Sequence, residues 1–383
     1  MRKTTIISII PTLYDGGAQK FAADLSFGLI KEFDHSFVRY NSGELEYDRA
    51  GAVIDLDVPK RQTVFGKVRR QWQLLQALKK LKQQEQTTVA ISHLLMPNML
   101  NVWSKNNDVT LCVLHGEWSV RTGRSKWLDY FVGRSYNKAD HIISVSHYIK
   151  DMFDAHYKLP NPHHVIYAGI DLKSVLKKAA APTPTMLPES YVVYVAGFRP
   201  VKNHLQLIAH LEGYLKTHQT QLVLVGDGPL REEIEQSIRD KELTSHVIVT
   251  GNLTNPYPVI AKARASLMVS SSESFSLVVV ESMALGIPVI ATDCGGPREI
   301  LLPDWKQEVT LPCQTEYGVL IPKPDQWTKD TLPQELERLL ANKERWQQLS
   351  ENGKQRATYF SIERSEEAYT TLIKDITAEL KSI

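Results

Sequence analysis

Two glutamates with seven residues between them, Glu273 and Glu281, are the side chains of this sequence best placed to do chemistry. The residues around them predict a buried strand over 266–271 and a helix over 277–285. A helix that begins where a strand has ended presents free backbone N–H groups and a partial positive charge, which suits a diphosphate. One carboxylate would then accept hydrogen bonds from a ribose and the other from a sugar hydroxyl. The alternative is two surface glutamates on an ordinary helix.

The helix carries its own start and stop signals. Ser274 or Ser276 is expected to cap its N-terminus, because a serine hydroxyl can accept from free N–H groups. Gly286 and Pro288 are expected to end it, and the next strand is expected over 288–293.

Two cations, Arg199 and Lys202, follow a predicted strand over 191–197. At such a strand-to-helix junction they can neutralise a diphosphate leaving group. The alternative is a solvated basic loop. Gly16 and Gly17 follow the first predicted strand and open a helix, where a glycine backbone can approach a phosphate closely. A G-x-G-x-x-G pattern is absent from the sequence, which argues against a nicotinamide dehydrogenase.

His115 is the histidine best placed for function, because it ends a predicted strand over 109–115 and can reach the edge of a sheet. The alternative is a hydrogen-bonded structural histidine. His93 has a similar position, and the histidines show no metal-ligand spacing. The D-x-D pattern at Asp55 and Asp57 ends an alternating strand, so we interpret it as a strand end and not as a metal–nucleotide site.

The stretch around the two glutamates resembles glycosyltransferase family 4, a family of retaining sugar transferases with the GT-B fold. The matching segments read E-S-F-S-L from Glu273, E-S-M-A-L-G-I-P-V-I from Glu281 and G-G-P-R-E from Gly295. The segment from Gly197 to Asn203 is similar to the family's G-R-L-x-x-x-K-[GN] motif, although the arginine stands one position later.

The resemblance implies that Glu281 holds the ribose and that Lys202 and Arg199 stabilise the diphosphate. It implies that His115 orients the sugar, which makes the expected catalytic set His115, Glu273, Lys202 and Arg199. The expected donor-binding set is Gly16, Gly17, Arg199, Lys202, Asn252, Leu253, Glu273, Phe275, Ser276, Leu277, Val278 and Glu281.

Apolar strands alternate with helical patterns in both halves of the 383 residues, which predicts an α/β protein with two doubly wound, Rossmann-like domains facing a cleft. We expect an N-terminal, acceptor-side domain over 1–178, a proline-containing linker over 179–188 and a nucleotide-sugar-binding domain over 189–360. By analogy with the family, the helix over 361–383 is expected to cross back to the first domain.

The composition is that of a globular protein, with 43% apolar residues, 23% charged residues and a net charge of +2. That charge gives no reason to expect nucleic acid as a partner. The three cysteines form no disulfide pattern, and the N-terminal apolar run is interpreted as a first strand and not as a signal peptide. We therefore expect a cytoplasmic protein without a membrane span.

The segment 60–82 carries eight basic and no acidic residues, with Val64, Val68 and Trp72 among its apolar positions at helical spacing. Such a helix can lie on an anionic membrane surface, or its basic face can simply be solvated. A second basic and aromatic segment runs from 118 to 138, with Arg121, Arg124, Lys126, Trp127, Tyr130 and Phe131. Together they suggest a lipid-linked or polyanionic acceptor at the cytoplasmic membrane face.

These features predict a retaining, metal-independent glycosyltransferase that needs no cofactor. It would move a hexose or N-acetylhexosamine from a nucleotide diphosphate sugar, expected to carry UDP, to a glycan or polyprenyl-diphosphate-linked acceptor in polysaccharide or oligosaccharide assembly. Three alternatives remain: a catalytically silent GT-B partner subunit, a nucleotide-sugar epimerase or hydrolase, and a nucleotide-binding regulatory module.

Overall fold

The computed structural model describes residues 3–14, 16–41, 43, 47–116, 126–183 and 186–382. The chain forms two compact units, a first unit of Met1–Gly169 with Ile362–Ile383 and a second unit of Ile170–Ser361. The expected linker, 179–188, lies within the range of the second unit. A helix just before it, α6 (Leu172–Ala179), is tied to this unit because Asn255 donates from Nδ2 to the carbonyl of Lys178 at 2.8 Å.

The first unit is built on a seven-stranded sheet in the order β3-β2-β1-β4-β5-β6-β7, in which every neighbouring pair is parallel. Its strands are β1 (Thr5–Ile10), β2 (Asp34–Arg39), β3 (Ala52–Asp55), β4 (Val89–His93), β5 (Val109–Leu114), β6 (His141–Ser144) and β7 (His163–Val165). Its helices are α1 (Gly17–Glu32), α2 (Val64–Gln84), α3 (Leu95–Trp103), α4 (Lys126–Tyr136), α5 (His147–Tyr157) and α14 (Ile362–Ser382). The strand order reverses between β1 and β4.

The second unit repeats this plan in the order β10-β9-β8-β11-β12-β14-β13, in which β13 and β14 pair antiparallel and the other neighbouring pairs of described strands are parallel. Its strands are β8 (Tyr191–Val195), β9 (Gln221–Val225), β10 (Val247–Gly251), β11 (Ala265–Met268), β12 (Val289–Thr292), β13 (Cys313–Gln314) and β14 (Val319–Ile321). Besides α6, its helices are α7 (His204–Thr217), α8 (Arg231–Asp240), α9 (Tyr257–Ile260), α10 (Leu277–Ala284), α11 (Gly296–Leu301), α12 (Thr331–Ala341) and α13 (Lys343–Ala357). Three 3-10 turns complete it, at Pro200–Lys202, Pro324–Gln326 and Thr358–Phe360. Here the strand order reverses between β8 and β11.

The middle strands of the first sheet are enclosed because both of their faces are largely apolar. All residues of β4 and β5 are buried, as expected for parallel strands covered by helices on both sides. In the second unit, α7, α8 and α12 bury Leu207, Ile234 and Leu336 in the core that contains the β8, β9 and β11 side chains. The two units thus each have a core of their own.

The C-terminal helix α14 packs on α1 within the first unit. A side chain at Gly28 would collide with Glu366, because its Cβ would lie 2.3 Å from that carboxylate. Lys374 pairs with Glu32 at 2.8 Å across the same contact. Helix α14 therefore completes the unit in which the chain began.

Helix α2 is anchored by its second half. Leu74, Leu78 and Lys82 are buried, whereas the predicted apolar positions Val64, Val68 and Trp72 are exposed. The apolar residues of α2 therefore do not form one continuous stripe that faces the core.

Candidate active site

Lys202 and Glu273 meet at the edge of the second sheet where the strand order reverses. Lys202 follows β8, Glu273 follows β11, and the lysine Nζ forms an ion pair with the glutamate Oε1. Ser270 donates to the same carboxylate oxygen at 2.9 Å. Ligands of open α/β sheets bind at such a switch point, beyond the carboxyl ends of the strands. Both residues were singled out from the sequence, and the fold brings them together.

The loops that carry this pair are cross-linked by Asn203. Its Nδ2 donates to the carbonyl of Val269 at 2.8 Å and to the Ser271 hydroxyl at 2.7 Å. Asn203 has a φ of 54°, a left-handed conformation that asparagine tolerates better than most residues. In addition, the Tyr194 hydroxyl donates to the carbonyl of Lys202 at 2.8 Å. Asn203 ends the motif segment that was matched from the sequence, but its cross-linking role and the contact of Tyr194 were not predicted.

Arg199 is exposed, and its guanidinium has no partner within the described ranges. Its loop is shaped by the turn after β9, because the backbone N–H of Phe198 donates to the carbonyl of Asp227 at 2.8 Å. A Cβ at Gly228 would lie 2.6 Å from the Phe198 carbonyl, and one at Gly226 would lie 2.1 Å from the Ala196 carbonyl. The two glycines therefore allow the turn to lie directly against the arginine loop.

The N-terminus of α10 lies directly after the Glu273 loop. Ser276 precedes the helix with a φ of 86°, and its hydroxyl makes no capping hydrogen bond. Ser276, one of the two serines expected to cap this helix, therefore does not cap it, because it has a left-handed conformation and not the extended backbone usual for a capping residue. The backbone N–H groups of Leu277 and Val278 donate to no other residue in the described part of the chain. They are available to an anion.

The Glu273 loop is held from the other side by the residues after β12. The Glu273 N–H donates to the carbonyl of Cys294 at 3.1 Å, and the Gly296 N–H donates back to the Glu273 carbonyl at 2.8 Å. A Cβ at Gly296 would lie 2.3 Å from Phe275 Cα, so only glycine fits there without movement. Phe275 itself is buried and packs edge-on against Phe360.

Glu281 lies on α10 and is almost fully buried. The hydroxyl of Tyr257 donates to its Oε1 at 2.8 Å. Tyr257 begins α9, which follows the loop that contains Asn252 and Leu253. Asn252 is exposed and Leu253 is partly buried. Sequence reasoning missed Tyr257, because nothing in the spacing links it to a glutamate 24 positions away.

In the first unit, Gly16 directly precedes α1 and Gly17 is the first residue of that helix. Gly16 has a φ of 146° and its N–H donates to the Tyr47 hydroxyl at 3.3 Å. Asp15, which precedes them, lies outside the described residues, as do Trp118, Arg121 and Arg124 of the second basic segment.

His115 follows β5, and its Nε2 lies 2.8 Å from Nδ1 of His93 at the end of β4. Burial lowers the pKa of His115 to about 3, so the ring is neutral at physiological pH. The strand order places Gly16, His93 and His115 at the carboxyl ends of β1, β4 and β5, which are neighbours in the sheet.

The D-x-D pattern is a strand end. Asp55 accepts a hydrogen bond from Arg39 Nη2 at 2.8 Å, and Asp57 is exposed beyond the strand. Across the described ranges, no three His, Cys, Asp or Glu side chains are grouped so that they could hold a metal ion. Within the same ranges, no helix combines the length and the apolar character needed to cross a membrane.

Comparison with known proteins agrees with this geometry. Two protein-family models match the sequence. The model described as glycosyl transferases group 1 matches residues 181–356, and the model described as glycosyltransferase family 4 matches residues 15–174. A protein of Campylobacter jejuni is 24% identical to this chain over 377 residues, which are 96% of this chain and 98% of the relative. Its name is GalNAc-alpha-(1->4)-GalNAc-alpha-(1->3)-diNAcBac-PP-undecaprenol alpha-1,4-N-acetyl-D-galactosaminyltransferase.

Solved structures share the fold. Sucrose-phosphate synthase from Thermosynechococcus elongatus superposes with a TM-score of 0.77 at 19% identity, over 98% of this chain and 100% of its own. HepE from Anabaena, solved with UDP and glucose, superposes with a TM-score of 0.74 at 16% identity, over 96% and 99% of the two chains. The two family matches together span most of both units, and the chain belongs to the group 1 glycosyltransferases of family 4, with the GT-B fold.

Proposed function

We propose that this glycosyltransferase moves a hexose or N-acetylhexosamine from a UDP-sugar to a hydroxyl of a glycan or lipid-linked acceptor, with retention of the anomeric configuration. The observation that carries the proposal is the Lys202–Glu273 pair at the switch point, close in sequence to the first N–H groups of α10, which donate to no residue that the structure describes. The names of the relatives support the substrate class. The Campylobacter jejuni relative is named for an undecaprenol-diphosphate-linked glycan, and HepE was solved with UDP and glucose.

The diphosphate is assigned to the positive groups of the second unit. Lys202 and Arg199 supply two cations, and the N–H groups of Leu277 and Val278 supply donors at the positive end of a helix. These groups neutralise the leaving diphosphate as its charge develops, so the proposed reaction needs neither a divalent ion nor a cofactor. By family resemblance, Gly16 and Gly17 of the first unit also approach the diphosphate.

The two glutamates are assigned to hydroxyl groups, because an ionised carboxylate only accepts hydrogen bonds. Glu281 takes the ribose and Glu273, with the backbone of Phe275 to Leu277, takes the transferred sugar. Asn252 and Leu253 border the base. His115 is assigned to the sugar by family resemblance.

The transfer is proposed to occur on one face of the sugar. The bond between the anomeric carbon and the diphosphate oxygen breaks, and the acceptor oxygen bonds to the same face of the resulting oxocarbenium-like carbon. The acceptor proton passes to the departing diphosphate. No covalent nucleophile is assigned, because Glu273, whose Oε1 is held by Lys202 and Ser270, is assigned to a hydroxyl of the sugar.

The first experiment is a thermal-shift series on the wild type and Glu281→Ala with UDP, GDP, ADP and their sugars. A ligand at about a hundred times its dissociation constant adds roughly 2.7 kcal/mol of apparent stability. If nucleotides of one base raise the melting temperature of the wild type, and raise it less in Glu281→Ala, the result supports the site. It also identifies the nucleotide of the donor for the transfer assays. The absence of a shift with every nucleotide would contradict the proposal and favour a silent partner subunit.

Transfer assays then separate the enzymes that could share this site. Product analysis with an acceptor is expected to give an α-linked product from an α-linked donor, with undiminished rate in EDTA. Free sugar or an epimer formed without acceptor would instead indicate a hydrolase or an epimerase.

We further propose that α2 lies on an anionic membrane surface, as a lipid-linked acceptor would require. Four apolar side chains in its first half are exposed, Val64 at 80%, Phe65 at 83%, Val68 at 65% and Trp72 at 62%. Basic residues flank them, and such helices bind by burying apolar area and by attraction to anionic lipid. We also propose that the protein lies peripherally on the cytoplasmic face of the membrane. Co-sedimentation with phosphatidylglycerol-containing vesicles, but not with pure phosphatidylcholine, is the expected result, and equal binding to both would contradict it.

A further inference from the structure

The imidazole rings of His93 and His115 form a hydrogen-bonded pair. His93 ends β4, and His115 comes one residue after the neighbouring β5. Nδ1 of His93 lies 2.8 Å from Nε2 of His115, with ring centroids 5.1 Å apart. One of these two nitrogens must therefore carry the hydrogen, and the other must accept it.

Both rings are neutral, because burial lowers the pKa of His115 to about 3 and that of His93 well below its usual value. Phe21 of α1 covers them, with its ring edge-on at 6.5 Å from His93 and 5.9 Å from His115. Each ring then carries a single N–H. The choice of donor in the pair fixes the tautomer of both residues.

The surroundings of His93 decide between the two arrangements. His93 is completely buried, and its Nε2 has no hydrogen-bond partner within the described part of the chain. If His115 donated, the hydrogen of His93 would lie on this Nε2, as a buried N–H without an acceptor. Buried N–H groups without a partner are rarer in proteins than unpaired acceptors, so donation by His93 is preferred.

We infer that His93 is a positioning residue, which donates from Nδ1 to Nε2 of His115 and so holds His115 in the tautomer with its hydrogen on Nδ1. His115 is partly exposed, and its Nδ1 has no partner within the described ranges. It is therefore an N–H donor for an oxygen of a sugar or a phosphate. The contribution to sugar transfer rests on the proposed function, whereas the tautomer depends on the first unit alone.

The tautomer can be measured without any substrate. In protein labelled with ¹⁵N-histidine, long-range ¹H–¹⁵N correlations distinguish a protonated Nδ1 from a protonated Nε2, and His115→Asn identifies the His115 signals by their loss. The expected result at neutral pH is a directly bonded hydrogen on Nδ1 of both His115 and His93. A hydrogen on Nε2 of His115 would overturn the inference.

Two substitutions test the positioning role. The Nδ2 of an asparagine occupies nearly the place of a histidine Nδ1, so His93→Asn keeps the donor, whereas His93→Leu removes it. We expect His93→Leu to change the tautomer of His115 and to lower kcat about tenfold, the size of one hydrogen bond, and His93→Asn to retain both tautomer and most of kcat. A merely structural role would lower the stability of both variants and leave the His115 signals unchanged, which would overturn the inference.

The outcomes also separate this inference from the proposed function. A missing nucleotide-induced thermal shift counts against the proposed function and leaves the tautomer measurement intact. If His93→Leu does not fold, the wild-type spectrum and His93→Asn still decide the tautomer.

Discussion

The ammonium group of Lys202 and the carboxylate of Glu273 pair across the reversal point of the second sheet, although 71 positions separate them in the chain. Both side chains are partly exposed, so the pair contributes little to the free energy of unfolding. A ligand diphosphate can therefore compete for the lysine at small energetic cost. The pair keeps a cation and an acceptor in position before any donor binds.

Lys202→Ala is expected to lower kcat/KM by about 10²–10³, the size of losing one preorganised charge at a developing anion. The melting temperature should change little, because the ion pair is partly exposed and contributes little to the free energy of unfolding. Lys216→Ala is the matched control, since Lys216 pairs with Glu212 at 3.0 Å on the surface of α7. Activity of Lys202→Ala equal to that of this control would remove Lys202 from the site.

Tyr257→Phe is expected to weaken nucleotide binding by a factor of about 2 to 13, because Glu281 loses one hydrogen bond. Glu281→Ala should weaken it further, since the carboxylate itself is gone. Isothermal titration calorimetry, with the nucleotide identified by thermal shift, measures the dissociation constants of both variants. Tyr359→Phe is the control, because Tyr359 is exposed. An unchanged dissociation constant for Tyr257→Phe would show that Tyr257 does not orient Glu281.

Gly296→Ala is expected to displace the Glu273 loop, because the new Cβ would lie 2.3 Å from Phe275 Cα. Both transfer activity and melting temperature should fall. The control is Gly213→Ala on α7, where a Cβ meets nothing within 4 Å and a helical alanine should stabilise by about 0.5–1 kcal/mol. A Gly296→Ala protein with full activity would mean that the loop does not depend on this close approach.

The two α/β domains and many candidate site residues were predicted from the sequence, whereas the order in which the strands pair was not predicted. Apolar runs located strands such as β5, β8, β11 and β12, and the stop signal at Gly286 located the end of α10. Strands β7, β13 and β14 were missed, because two or three residues are too few to show a pattern. The Tyr257–Glu281 bond could not be predicted, since it joins residues 24 positions apart, and no local signal in the sequence marks Ser276 as left-handed.

Phe65→Ser with Trp72→Ser is expected to abolish most vesicle binding, because the two side chains supply much of the exposed apolar area of α2. Folding should be unaffected, since neither residue is in the core. Leu176→Ser replaces a similarly exposed apolar residue, at 54%, on α6 and should bind vesicles like the wild type. If the double variant sediments with anionic vesicles as the wild type does, the membrane surface lies elsewhere.

Acid is expected to destabilise the second unit through His204. This ring is buried between Tyr194 and Phe198 without a hydrogen-bond partner in the described residues, and burial lowers its pKa to about 4. The unfolded chain, with a histidine pKa of about 6.5, binds the proton more readily, so the free energy of unfolding falls as pH drops from 6.5 toward 4.

His204→Leu removes this titration. Between the folded and unfolded pKa values of His204, the free energy of unfolding of this variant should depend less on pH than that of the wild type. The slopes should differ by up to about 1.4 kcal/mol per pH unit. Denaturant titrations across the range measure the slope, and His210→Gln, at the surface of the same helix, is the control. Parallel slopes for the wild type and His204→Leu would contradict the assignment.

The turn after β9, which contains Gly226 and Gly228, contacts the loop that carries Arg199. This contact has a consequence for building chimeras of related transferases. Gly226 and Gly228 lie so close to Ala196 and Phe198 that neither segment can change shape alone. A donor-specificity graft that exchanges only 197–203 would place a foreign loop against an unmatched turn. The smallest transplantable module therefore consists of two separate pieces of sequence, 196–203 and 226–230, which have to be exchanged together.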